Sequence, residues 1–78
     1  EVVVRGVRTP VTGDISQGGA MFLLDRRLDT TTIGVVAAGK AARAEVLSVS
    51  QKGNLFAHHC RFVDVSESLP VWEAIASS

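Results

Sequence analysis

The alternation of apolar and polar positions is most legible over Leu55 to Val65, where Phe56, His58, Cys60 and Phe62 fall on one side of an extended chain. Ala57, His59, Arg61 and Val63 fall on the other. A period of two predicts a strand with one face turned inward. Thr30 to Ala38 predicts another strand on different grounds, β-branched residues at six of nine positions, and Gly39-Lys40 closes it. The chain then returns as a hairpin through Ala42 to Ser50. In that returning strand Arg43 and Glu45 share one face and Ala44, Val46 and Ser48 the other, while Leu47 and Val49 break the polar stripe, so both faces are partly covered. Gln51-Lys52-Gly53-Asn54 predicts a hairpin turn, because Gly and Asn accept positive φ.

The first third of the chain is more broken. Glu1 to Arg5 reads as a strand, Gly6 as a turn, and Val7 to Thr12 as a second short strand in which Pro10, lacking an N–H, demands an edge or a bulge. Gly13-Asp14-Ile15-Ser16-Gln17-Gly18-Gly19 predicts a turn with a demanding backbone. Ala20 to Asp25 is an apolar run without a clear period, a strand or one helical turn, and Arg26-Arg27-Leu28-Asp29 is a polar connection with Leu28 inward. At the far end Ser66-Glu67-Ser68 predicts a helix entry, with Pro70 in the first turn and Leu69, Trp72 and Ile75 on the buried face. Short strands joined by turns and followed by one helix predict a mostly β fold, a small antiparallel barrel of about six strands or a rolled sheet, with a short C-terminal helix. Residues 1–78 form a single domain in this reading.

Composition narrows this picture. Twelve Val, three Ile and five Thr, against four aromatic residues, predict a thin core built on valine. Eight basic residues balance eight acidic ones, which excludes a broad phosphate-tracking surface for DNA or RNA and an electrostatic grip on an anionic membrane. The single cysteine forms no internal disulfide and points to a reducing, cytoplasmic compartment. No apolar run approaches the roughly 20 residues a membrane helix needs, and no signal peptide is visible. Glu1-Val2-Val3-Val4 opens the chain on a strand with no lead-in, which suggests a piece of a longer protein.

Candidate chemistry gathers at Asp14-x-Ser16-x-x-Gly19, where an acceptor, a hydroxyl and glycines converge at a strand exit. Gly18 and Gly19 expose backbone amides, and successive amides in a tight turn make an anion-accepting concavity. Ser16 can donate to a phosphate or a base; Asp14 can accept from a ring N–H, or bond amides two residues on and simply hold an Asx-type turn with no ligand. His58-His59-Cys60 invites a metal, but neighbours on a strand face opposite ways and nothing completes four ligands. A Cys60–His nucleophilic pair fits no better than packing, because both side chains sit on the phenylalanine face. Arg26 and Arg27 read as solvated surface.

Gly13-Asp14-Ile15-Ser16-Gln17-Gly18-Gly19-Ala20 resembles the D/N-x-S-x-x-G signature of the PilZ family, small bacterial receptor domains for cyclic di-GMP. The apolar strand that follows, the polar link, the hairpin of residues 30–50 and Arg61-Phe62-Val63-Asp64-Val65-Ser66 before a terminal helix are similar in order and spacing. The resemblance implies a PilZ-like barrel without catalytic residues, metal or cofactor, whose ligand is cyclic di-GMP. Asp14 and Ser16 would contact guanine or phosphate, and Gly18 and Gly19 would let the turn approach the ligand. It implies a regulatory module coupled to an effector such as a polysaccharide synthase or a flagellar regulator. The family's R-x-x-x-R segment before the first strand is missing here, since Arg5 and Arg8 are three apart and lie on the strand side of the expected place. Guanidinium groups suit both a phosphate and the O6/N7 edge of guanine, so their source matters.

Two other readings remain. One is a degenerate PilZ-like protein-interaction domain that binds no nucleotide. The other is a hotdog-type acyl thioesterase, on the likeness of Gly18-Gly19-Ala20-Met21-Phe22-Leu23-Leu24-Asp25 to that fold's helix start; Thr30-Thr31-Thr32 is poor material for its long central helix.

Overall fold

A computed structural model describes residues 1–76. Seven strands, β1 (Val2–Val4), β2 (Val7–Thr9), β3 (Thr12–Ile15), β4 (Gly19–Leu24), β5 (Thr32–Ala37), β6 (Lys40–Lys52) and β7 (Leu55–Phe62), precede one helix, α1 (Val65–Ala76). The mostly β expectation holds, with seven strands rather than about six. All pairings are antiparallel, in the order β2-β1-β5-β6-β7-β4-β3.

The extra strand comes from Pro10. Val7 to Thr12 divides there, and its halves lie at opposite edges of the sheet, β2 at one and β3 at the other. Only Pro10 and Val11 join them. In a flat sheet the two edges would be about 29 Å apart at roughly 4.8 Å per strand. A link from Thr9 to Thr12 spans at most about 11 Å. The sheet therefore curls until its edges nearly meet, and a missing N–H at that crossing costs no ladder bond.

Tight turns make the local hairpins. Arg5-Gly6 has φ of 51° and 81°, and Ala38-Gly39 has 51° and 76°, so both are two-residue loops of the type I′ kind. Gly53 alone is left-handed in the Gly53-Asn54 loop, at 63°, as a type II′ turn requires. β6 carries a bulge: Val46 pairs with Cys60 and Ser48 with His59, leaving Leu47 over. This extra residue explains the broken polar stripe, because it reverses the parity of the strand. Ala42, Ala44 and Val46 face inward before it, and Val49 sits opposite inward-facing His58 after it.

The core contains Val2, Phe22, Leu24, Ile33, Val35, Ala42, Ala44, Cys60, Phe62 and Val71. Its bulk is supplied by Phe, Leu and Ile as much as by valine; Val7, Val63 and Val65 are exposed. The expected inward row Phe56, His58, Cys60 and Phe62 is found, and Leu28 of the polar link packs against the core. Ala20 to Leu24 lies in a strand, so the helix start of the thioesterase reading is not formed.

Helix α1 corrects two expectations. Asp64 is its cap, its Oδ1 accepting from the Ser66 N–H at 2.9 Å and the Ser66 hydroxyl at 2.7 Å. Starting there, the helix places Pro70 beyond the first turn, where it forgoes the backbone bond to the Ser66 carbonyl. Its buried residues are Ser68 and Val71, whereas Leu69 and Ile75 are exposed and Trp72 is half-buried. The helix is rotated away from its most apolar stripe because the cap and the Ser68 hydroxyl set its angle. No helix among the described residues is long and apolar enough to cross a membrane.

Candidate ligand-binding site

The glycine-rich segment divides into strand and turn. Thr12, Gly13, Asp14 and Ile15 pair with Leu23, Phe22, Met21 and Ala20, and Ser16-Gln17-Gly18 remains between the strands. The turn closes through the Ser16 N–H, which donates to the Gly19 carbonyl at 2.8 Å, and through the Ser16 hydroxyl, which lies 3.2 Å from both the N–H and the carbonyl oxygen of Gly19. Gly19's amide is thus engaged by Ser16, and the expected two-amide concavity is not formed. Gly18 is not left-handed either.

The turn is pinned from both sides. The Gly18 carbonyl accepts from the Phe62 N–H at 3.1 Å, and the Gln17 carbonyl accepts from the Ser68 hydroxyl at 3.3 Å. Its glycines differ sharply in purpose. A Cβ on Gly13 would strike the Met21 carbonyl, and one on Gly19 the Cys60 carbonyl, whereas one on Gly18 would meet nothing within 4 Å. Gly13 and Gly19 are therefore needed by the sheet itself.

The side chains fall in rows across the outer face of the sheet. One row runs Asp14, Met21, His59, Ser48 through consecutive pairings β3–β4–β7–β6. The next runs from Ser16 through Gly19 and Arg61 to Glu45. Asp14, Ser16 and Gly18 are exposed and Gly19 half-buried. The Asp14 carboxylate makes no hydrogen bond or ion pair among the described residues, so it does not hold an Asx turn. Asp14, Ser16, Gly19, Met21, Leu47 and His59 line an open recess of about 320 Å³. Leu47 reaches it because the bulge throws that side chain outward, 61% exposed. Asp14 also borders a more apolar cleft of about 360 Å³, lined by Val2, Ile15, Phe22, Val35 and Ile75.

The other candidates are placed away from this recess or closed to chemistry. His58 is fully buried and stacked on Phe22, with centroids 5.0 Å apart and planes at 3°. Its Nε2 accepts from the Leu28 N–H at 3.1 Å, which assigns the proton to Nδ1, 3.1 Å from the Phe56 carbonyl. Burial holds its pKa below the usual value of 6.5, so the ring is neutral at pH 7. Burial likewise pushes the Cys60 thiol up to about 11, leaving it protonated and inert. Among the described residues no three His, Cys, Asp or Glu side chains converge to hold a metal. Arg5 pairs with Asp29 at 3.0 Å and Arg8 with Glu1 at 3.4 Å, while Arg27 lies over the Phe56 ring at 5.8 Å. None of these lines the recess. Arg43 is committed to Glu67 at 2.9 Å, an ion pair that holds the Glu67 carboxyl below its usual range. The cation beside the turn is Arg61, the first residue of the Arg61–Ser66 motif; it too lies outside the recess lining, and its proximity depends on the long-range pairing of β4 with β7.

No protein-family model, curated protein or solved structure matches this chain. The PilZ resemblance accordingly rests on the Asp14–Ala20 and Arg61–Ser66 motifs themselves.

Proposed function

We propose that this domain is a non-catalytic receptor module that takes cyclic di-GMP at the outer recess and passes the event to an effector polypeptide. The observation that carries the reading is the convergence of Asp14, Ser16 and Gly19 at one open recess, where the Asp14 carboxylate has no hydrogen bond or ion pair among the described residues. A carboxylate accepts the N1–H and N2–H donors of guanine, and a hydroxyl at a strand end donates to phosphate. Met21 and Leu47 offer apolar surface to a base face. The Gln17 carbonyl and the Gly18 carbonyl tie the turn to α1 and β7, so a change at the turn is felt by the helix. A polysaccharide synthase or a flagellar regulator is the class of effector that the resemblance suggests.

Calorimetric titration of cyclic di-GMP tests this directly. Binding that Asp14→Ala and Ser16→Ala each weaken, without loss of thermal stability, supports the receptor reading. A folded protein that gives no binding heat contradicts it. A second reading, a protein-interaction domain without nucleotide, draws on the exposed Val63, Val65 and Leu69 around the helix start. Its mark is loss of partner binding on Val65→Asp with the recess intact.

A further inference from the structure

We infer that Arg61, which borders the recess from β7 without being part of its lining, supplies the phosphate-binding cation and that Glu45 is its built-in competitor. The inference rests on the receptor reading above and concerns where the positive charge comes from.

The row Ser16–Gly19–Arg61–Glu45 begins just past the end of β3 and crosses β4, β7 and β6 on the outer face. Its second member has no side chain. Ser16, just past the end of β3, and Arg61, on β7, thus stand about 10 Å apart, with bare backbone between them. A phosphodiester group placed there would draw the Ser16 hydroxyl from the Gly19 carbonyl on one side and the Arg61 guanidinium from Glu45 on the other. Gly19 cannot be replaced, because a Cβ there strikes the Cys60 carbonyl, so no side chain can be placed between Ser16 and Arg61. One row along lie Asp14 and His59, within reach of a base attached to that phosphate.

Without ligand the guanidinium is not idle. Arg61 Nη2 donates to Glu45 Oε1 at 2.9 Å, with the Arg61 side chain 62% and the Glu45 side chain 44% exposed. An exposed pair of this kind is weak, so a phosphate can recruit Arg61 without a large opposing cost. The planar fork of arginine can serve both oxyanions at once or move from one to the other. Glu45 repels the incoming anion and so sets the affinity rather than the fold. The charge a cyclic dinucleotide requires is then supplied in part from within the strand.

The test is calorimetric titration of cyclic di-GMP into wild type, Arg61→Gln, Arg61→Lys and Glu45→Gln, each first shown to be folded by circular dichroism. Losing one charge-assisted contact predicts about tenfold weaker binding in Arg61→Gln. Arg61→Lys should be intermediate, and Glu45→Gln should bind severalfold more tightly than wild type. Inorganic phosphate, titrated alone, should bind more weakly than the dinucleotide and lose its affinity in Arg61→Gln. Equal affinity of wild type and Arg61→Gln for cyclic di-GMP overturns the role of Arg61 and leaves the receptor reading standing. Absence of dinucleotide binding in all four folded proteins overturns both.

Discussion

The Ser68 hydroxyl, fully buried in α1, donates to the carbonyl of Gln17 at 3.3 Å and so joins the terminal helix to the turn of the candidate site across 51 residues. The same hydroxyl lies 3.4 Å from the Val65 carbonyl of its own helix. One small polar side chain thereby fixes the rotation of the helix and the position of the loop. Ser68→Ala leaves the Gln17 carbonyl without its partner, and the expected loss is about 1–2 kcal/mol of stability. Amide exchange at Gly19 and Phe62 should quicken in the same variant. Unchanged exchange there would show that the turn is held by the sheet alone.

The glycines of the turn separate under substitution. Gly19→Ala and Gly13→Ala force a methyl group onto a backbone carbonyl, and each should cost at least about 2 kcal/mol in denaturant unfolding. Gly18→Ala meets open space without a left-handed backbone, so its change in stability should stay within about 0.5 kcal/mol. Equal effects at positions 18 and 19 would contradict the close approach of Gly19 to Cys60.

His58 makes stability depend on acid. Its folded pKa lies below the ordinary 6.5, so below that pH the unfolded chain binds the proton that the folded chain refuses. The stabilisation is complete above about 6.5 and declines as pH falls from there toward the folded value. Asp64, held below its usual range by the Ser66 bonds, and Glu67, held there by Arg43, add a second decline only below their ordinary values of 3.8 and 4.5. Urea denaturation across pH 7 to 3 should show both regions. In His58→Phe the upper one disappears and the lower one remains.

The Ala38-Gly39 turn carries a correctable strain. Ala38 adopts φ of 51°, a conformation costing an L-residue with a Cβ about 1 kcal/mol, which asparagine tolerates better. Ala38→Asn creates the Asn-Gly pair that type I′ turns prefer, and thermal melting should show a gain of about 0.5–1 kcal/mol.

Much of the fold was legible in local chemistry. The turns at Gly6, Gly39 and Gly53, the inward row of β7 and the apolar strand after Gly19 all follow from residues within a few positions of one another. Local pattern predicts an edge or a bulge at Pro10, yet its larger meaning, a link between the two edges of one sheet, depends on strand order that local pattern does not encode. Leu47 showed only as a fault in alternation, and pairing with β7 turns that fault into a bulge beside the recess. The helix face departs from the apolar periodicity of Leu69, Trp72 and Ile75, because Ser68, bonded to the Gln17 carbonyl, and Val71 are the residues it buries. Asp14, Ser16, Gly18 and Gly19 are visible as a motif and Arg61 as part of another, but only the β4–β7 register places Arg61 next to Gly19.

The most direct measurement is a map of backbone amide shifts in isotope-labelled protein as cyclic di-GMP is added. The account predicts shifts concentrated at Asp14, Ser16, Gly18, Gly19, His59 and Arg61, spreading through Ser68 into α1. Shifts confined to the apolar cleft of Val2, Val35 and Ile75, or none at all from a folded protein, would contradict it.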